Sequence, residues 1–142
     1  MIVRRATLAE ILPLRHAELR PGRPVATAHF DGDDEPTTAH VGAFDDGGIL
    51  ACATLMRRPL DGEDAAQLRG MATRADVARC GIGTAVIAFA EGLVTREWRL
   101  ALLWCNARTS AQGFYERRGW RVVSPVFDVP DVGPHVRMVR RP

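Results

Sequence analysis

Arg79-Cys80-Gly81-Ile82-Gly83-Thr84 and, farther along, Gly113-Phe114-Tyr115-Glu116-Arg117-Arg118-Gly119-Trp120 are the two stretches on which the fold reading turns. In the first, Gly81 and Gly83 lack side chains, so a ligand can approach the backbone closely. The opening N–H groups of a helix have no internal partners, and its dipole favours negative charge there. One such charge effect is worth only ~0.3–1 kcal/mol at an exposed site, so a pyrophosphate must collect several. Arg74 and Arg79 bring positive charge to the same turn. The second stretch puts the chain's only tyrosine on a helix that stops at Gly119 in the left-handed cap position. Two other nucleotide readings lack their parts. No lysine is present for a Walker loop, and no third glycine completes a Rossmann fingerprint.

Outward from these stretches, the pattern gives strands and helices in a definite order. Ile2 to Arg5 reads as a strand, and Thr7 with Glu10 forms a capping box for a helix carrying Ile11, Leu12, Leu14 and Leu19 on its apolar face. Pro21 to Thr38 is a long loop with a short helical turn around Val25 to His29. Ala39 to Phe44 and Gly48 to Met56 form a hairpin about Asp45-Asp46-Gly47-Gly48. Ala66 to Thr73 is a strand. Ile82, Ala85, Val86, Phe89, Ala90 and Leu93 then follow the helical period in a helix from Cys80 to about Arg96. Leu100 to Cys105 is nearly all apolar, as for a strand covered on both faces. Thr109 or Arg108 opens the next helix, and Trp120 to Phe127 and His135 to Arg140 are the last two strands. Right-handed crossover sets Ala66–Thr73 and Leu100–Cys105 side by side and parallel. The order implies a mixed α+β sheet with helices on both faces, in a single domain over residues 1–142.

Composition narrows the function classes. A chain of 142 residues with 46% hydrophobic and 25% charged residues suits one globular domain. All 19 basic residues are arginine, spread along the chain, and a net charge of +2 does not point to nucleic acid. No apolar run reaches the ~18 residues of a membrane span, and the N-terminus lacks signal-peptide character. A cytoplasmic protein is expected. Three cysteines without CxxC spacing and four scattered histidines give no disulfide framework and no metal site.

The order strand, CGIGT turn, amphipathic helix, apolar strand, FYERRGW resembles the GNAT superfamily of N-acetyltransferases, its core running from Leu68 to Trp120. The resemblance implies the GNAT fold, mostly antiparallel with a splayed parallel central pair, acetyl-CoA as acyl donor, and acetylation of an amine. Residues implied in donor binding are Met71, Ala72 and Thr73 on the strand, the turn Arg79, Cys80, Gly81, Ile82, Gly83 and Thr84, and Asn106 and Arg108. Two positions depart from the family pattern. Ala78 stands where the family turn has Arg or Gln, with Arg79 beside it. Arg108 occupies the place of an asparagine seven residues before the tyrosine, while Asn106 lies two earlier.

Acetyl transfer to an amine needs a held donor, a neutral amine, a polarised carbonyl and a protonated leaving thiolate. A splayed strand Gln67–Thr73 can pair with pantetheine amides as an added strand would, and an N–H near Met71 or Ala72 can polarise the thioester. Gly70 fits close approach of a ligand or another chain. Tyr115, a phenol with a pKa near 10, is the acid, although a packing role beside Phe114 is the competing reading. Glu63, His40, His135 and the loop acids are open candidates for the base, as is a water relay. The run Asp31, Asp33, Asp34, Glu35 reads as a solvated loop, and His16 as a structural histidine. The acceptor, a small-molecule or peptide amine, is expected beneath the Pro21–Thr38 and Val129–Pro134 loops. A homodimer through the edge strands and C-terminal hairpin is compatible with the pattern. A non-catalytic acyl-CoA-binding module and a ligand-free structural domain are the alternatives.

Overall fold

In the computed structural model, which describes all residues from Met1 to Pro142, eight strands form one sheet. They are β1 (Ile2–Ala6), β2 (Ala39–Asp45), β3 (Gly48–Arg57), β4 (Ala66–Thr73), β5 (Leu103–Arg108), β6 (Arg121–Val122), β7 (Phe127–Val129) and β8 (Gly133–Arg140). Their spatial order is β1-β2-β3-β4-β5-β8-β6, with β7 also paired to β8. Every pairing is antiparallel except β4 with β5. The helices are α1 (Leu8–Leu19), α2 (Ile82–Gly92), continued by a π-helical turn over Leu93–Glu97, and α3 (Gln112–Arg117). No helix is long and apolar enough to cross a membrane.

The local chemistry explains most element ends. Thr7 accepts from the Glu10 N–H at 3.2 Å while Glu10 accepts from the Thr7 N–H at 2.9 Å, the expected capping box. In the hairpin turn, the Asp45 carboxylate accepts from the Gly47 N–H at 2.8 Å, and Gly48 takes φ 114°. Gly119 caps α3 at φ 87°. The short helical turn expected in the long loop is Val25–Ala28.

Several boundaries differ from the sequence reading: α3 begins at Gln112, after a 3₁₀ turn over Thr109–Ala111, and β8 begins at Gly133 rather than His135. α2 begins at Ile82 with Gly81 as N-cap, two residues later than Cys80. β5 is Leu103–Arg108 rather than Leu100–Cys105. Arg99 at φ 56° still turns the chain, and the strand's second half alternates buried Cys105 and Ala107 with Asn106 and Arg108, which face a cavity instead of core. The expected single strand Trp120–Phe127 is two pieces, because Pro125 has no N–H to give a ladder.

Strand alternation sorts the core. Val41, Ala43, Ala51, Ala53, Leu55, Leu68, Leu103 and Cys105 pack with Val86, Ile87 and Tyr115 on the α2 side. Cys52 and Ala72 meet Ile11 and Leu14 of α1 on the opposite face. The acidic loop departs from its expected solvation. Asp33 is 4% exposed and pairs with Arg15 of α1, which is fully buried. The Arg15 guanidinium donates to both Asp33 oxygens (2.7 and 3.1 Å), to the Ala28 carbonyl (3.0 Å) and to Thr54 Oγ1 (2.6 Å). The Phe30 N–H also donates to Asp33 at 2.6 Å. This network fastens the Pro21–Thr38 loop to the sheet.

Candidate active site

β4 and β5 pair only at Ala66–Leu103 and Gln67–Trp104, and no ladder joins them beyond that point. The cause lies on the other edge of β4. There Cys52 faces Ala72 while Thr54 faces Arg69, so β4 carries one residue more than β3 over this span. Such a bulge bends its strand and strengthens the local twist. Gly70, at φ 60°, lies within it. The bend opens a cavity of about 380 Å³ through the sheet, lined by Gln67–Met71 on one side and Cys105–Arg108 on the other.

The two ends of the cavity differ. Tyr115 and Ala111 line the end on the α2 face. Tyr115 is 5% exposed, with its ring packed against Phe114 and Trp120 (centroids 5.2 and 5.3 Å), and its hydroxyl has no partner in the chain. Burial, followed by the neighbouring Cys105, pushes this phenol well above its ordinary pKa, so it stays protonated. α3 is held in place by Glu91 of α2, a buried carboxylate that accepts from Arg118 at 2.9 Å and from Arg140 at 3.1 Å. Its only signal in the sequence was an acid inside an otherwise apolar helix.

The α1-side end is lined by Leu19 and Arg20 at the end of α1, by Arg69 of β4, and by Phe30, Val129 and Val132 of the two loops expected to cover an acceptor. Arg108 reaches this face and donates to the Leu19 carbonyl at 3.0 Å. His135 lies directly opposite Arg108 in the β5–β8 ladder and therefore shares that face. Its Nδ1 lies 2.8 Å from the Gly133 carbonyl. A carbonyl only accepts, so Nδ1 carries a proton, and in the neutral imidazole the lone pair is on Nε2. The Gln67 side-chain oxygen is buried without a partner at the point where the strands separate.

Other sequence candidates fall elsewhere. His40 is buried between Thr54 Oγ1 (2.8 Å) and the Asp33 carbonyl (3.1 Å), outside the cavity. Glu63 pairs with Arg141 at 2.7 Å on a separate surface. His16 is structural, 2.6 Å from the Arg23 carbonyl. Of the open candidates for the base, only His135 lines the cavity.

Met71, Asn106 and Arg108 line the cavity, whereas Ala72 and Thr73 carry β4 on to the turn. At the turn, Arg79 and Gly81 adopt φ 65° and 81°, and the first helical bond runs from the Ala85 N–H to the Gly81 carbonyl at 3.1 Å. The N–H groups of Ile82, Gly83 and Thr84 are thereby left for a ligand. Gly81 borders open space. Gly83 instead faces inward, where a Cβ would lie 3.2 Å from Thr73 Oγ1, so it serves helix–strand packing rather than ligand access. Cys80 is exposed, its sulfur 3.7 Å from the Ala78 carbonyl. Arg79 extends free at the surface, while Arg74 is engaged with Asp76 at 2.6 Å and with the Ile49 carbonyl. Of the two arginines expected to supply charge at the turn, Arg79 is the one without a partner. The unpaired strand edges and the bare amides fit an extended amide chain ending in a pyrophosphate, as in acetyl-CoA.

Residues 36–122 match the profile of the Acetyltransferase (GNAT) domain. The chain belongs to this family and is an N-acetyltransferase; acyl-CoA-dependent acetyl transfer is the activity of the family. It is 30% identical to an uncharacterized N-acetyltransferase of Bacillus subtilis (strain 168), YitI, over 97% of this chain and 94% of that one. Among solved structures, Escherichia coli ElaA superposes with a TM-score of 0.82 at 18% identity, covering 99% of both chains. An acyl-CoA N-acyltransferase from Pseudomonas aeruginosa gives 0.78 at 24%, covering 99% of both. An aminoglycoside 6'-N-acetyltransferase complexed with coenzyme A gives 0.80 at 13%, covering 99% of this chain and 97% of that one. These likenesses confirm the mixed sheet with its parallel β4–β5 pair as the GNAT fold.

Proposed function

We propose that the chain acetylates an amine of a small molecule or peptide by direct attack on acetyl-CoA, with both substrates bound. The observation that carries this reading is Tyr115, a buried residue whose hydroxyl has no partner in the chain, at one end of a gap between β4 and β5. Acetyl-CoA supplies an activated acetyl thioester. Backbone edges of Leu68–Met71 and Cys105–Arg108 hold its amide arm, and the amides of Ile82–Thr84 its pyrophosphate. The acceptor enters from the α1 side. His135 Nε2 accepts a proton from the amine, the new N–C bond forms as the C–S bond breaks, and Tyr115 donates its proton to the departing sulfur.

Cys105 supports direct attack over an acyl-enzyme. Burial pushes its thiol up to about 12, so at neutral pH it is no nucleophile.

Release of coenzyme A thiol, followed with acetyl-CoA across carboxylated, phosphorylated, neutral and polycationic amines, tests the reading. Amine-dependent release that is lost in Tyr115→Phe is expected. Full activity of that variant would remove Tyr115 from the mechanism, and absence of acetyl-CoA binding would overturn the reading.

A further inference from the structure

The acceptor end of the cavity is cationic. Its titratable lining comprises Arg20, Arg69, Arg108 and His135, with Tyr115 and Cys105 at the far end, and no aspartate or glutamate. None of the three arginines pairs with a carboxylate. Arg20 and Arg108 each give one bond to the same Leu19 carbonyl, at 2.9 and 3.0 Å. The Arg69 guanidinium makes no hydrogen bond and lies 4.5 Å from the Phe30 ring centre. Each guanidinium has five N–H donors, so most of this capacity is unused.

Asp33, the carboxylate whose charge acts on Arg69, is already committed. Both oxygens of Asp33 are held by Arg15 beneath the Phe30 ring. Burial first, then the positive charge of neighbouring arginines, lowers the proton affinity of both Arg20 and Arg69. Like charges gathered in a partly desolvated cavity repel, and an incoming anion relieves that repulsion.

Resting on the acetyl-transfer reading above, we infer that the acceptor carries an anionic group, a carboxylate or a phosphate, gripped by Arg20, Arg69 and Arg108. The anion anchors on the α1 face, which leaves the amine nitrogen between His135 and the thioester. Bidentate guanidinium contacts select such planar or tetrahedral anions over neutral groups. The same charges repel polycationic amines, the acceptor class named for the aminoglycoside-modifying structure of the same fold.

The test uses the full chain in two arms. Thiol release is compared within matched pairs, β-alanine against propylamine and phosphoethanolamine against ethanolamine, with kanamycin as the polycation. In parallel, succinate and inorganic phosphate are titrated by calorimetry into protein saturated with coenzyme A, so that the pyrophosphate turn is already filled. The expected result is saturable binding of one anion, which identifies carboxylate or phosphate as the source. Its pair should favour the charged amine by ~tenfold or more in kcat/KM, wherever either member turns over. Arg69→Gln should abolish the binding and the preference, while Arg69→Lys retains part of both. If neither anion binds the coenzyme-loaded protein, or if neutral or polycationic amines turn over as well as charged ones, the inference is overturned and acetyl transfer stands. If acetyl-CoA neither binds nor releases thiol, the underlying reading fails and takes the inference with it.

Discussion

A Cβ on Gly70 would stand 2.8 Å from Nε of Arg15, so the bulge of β4 and the buried guanidinium of α1 are in direct contact. The sequence suggested close approach of a ligand or another chain at Gly70; Gly70 lines the cavity, and the room its missing side chain leaves also admits the protein's own arginine. Gly70→Ala adds a methyl against Arg15 and Phe30 at a backbone φ of 60°. We expect a loss of about 1–3 kcal/mol, as for overpacking, measured as a lower urea midpoint.

Arg15→Met leaves Asp33 buried without its partner. Removing one member of such a pair costs about 3–5 kcal/mol. Urea unfolding should show that loss, and adding Asp33→Leu to the variant should restore part of it. A double variant no more stable than the single one would show that Asp33 escapes to solvent.

Tyr115→Phe keeps the ring that packs against Phe114 and Trp120 and removes only the hydroxyl proposed as the acid. Steady-state kinetics should show kcat lower by ~10²–10⁴ with the KM for acetyl-CoA nearly unchanged. The melting temperature should hold, which separates chemistry from folding.

Acid should unfold the protein in stages. Burial lowers the pKa of His40 against the opposing pull of Asp33, so its neutral form is favoured by folding. That contribution is complete above the unfolded value of 6.5 and is lost as pH falls through the lower folded value. For Asp33, burial raises the pKa, but the bonds from Arg15 and the Phe30 N–H outweigh it and the net shift is downward. Its contribution is present above 3.8 and disappears at lower pH. Glu10 is held at about 2 by Arg4 and the Thr7 N–H, so its contribution is lost as pH falls from 4.5 towards that value. Urea midpoints from pH 8 to pH 2 should decline from about 6.5 downward. In His40→Gln the first part of that decline should flatten.

Gly83→Val should displace α2 from β4, because its side chain would meet Thr73 Oγ1 and Met71. The amides of Ile82–Thr84 move with the helix, so the Kd for coenzyme A, measured by calorimetry, should rise about tenfold or more. An unchanged Kd would mean that the helix accommodates the valine in place.

Local chemistry made much of this architecture legible in advance. Thr7 with Glu10, the Asp45–Gly48 turn and the Gly119 cap each act over a few residues, and each formed as read. What escaped depended on partners far apart in the chain. Nothing around Arg15 announced that it would be buried, because Asp33 lies in a loop and Thr54 on another strand. Gly83 looked like Gly81 in sequence, and only the packing of α2 on β4 gave them opposite roles. β5 was displaced because an apolar run marks burial, while its later residues border a cavity where Asn106 and Arg108 are tolerated. The acceptor end was unreadable for the same reason. Arg20, Arg69 and Arg108 meet only when three separate elements are assembled.

Two residue pairs are all that stitch β4 to β5, and so the sheet resembles two leaves of a book joined at a short spine. One leaf carries the glycine turn and the other carries His135, with Arg69 and Arg108 facing each other across the fold. On the proposed function both leaves share the carrier at the spine, so the Pro21–Thr38 and Val129–Pro134 loops can be rewritten to suit a different amine while the strand edges and the glycine turn stay as they are.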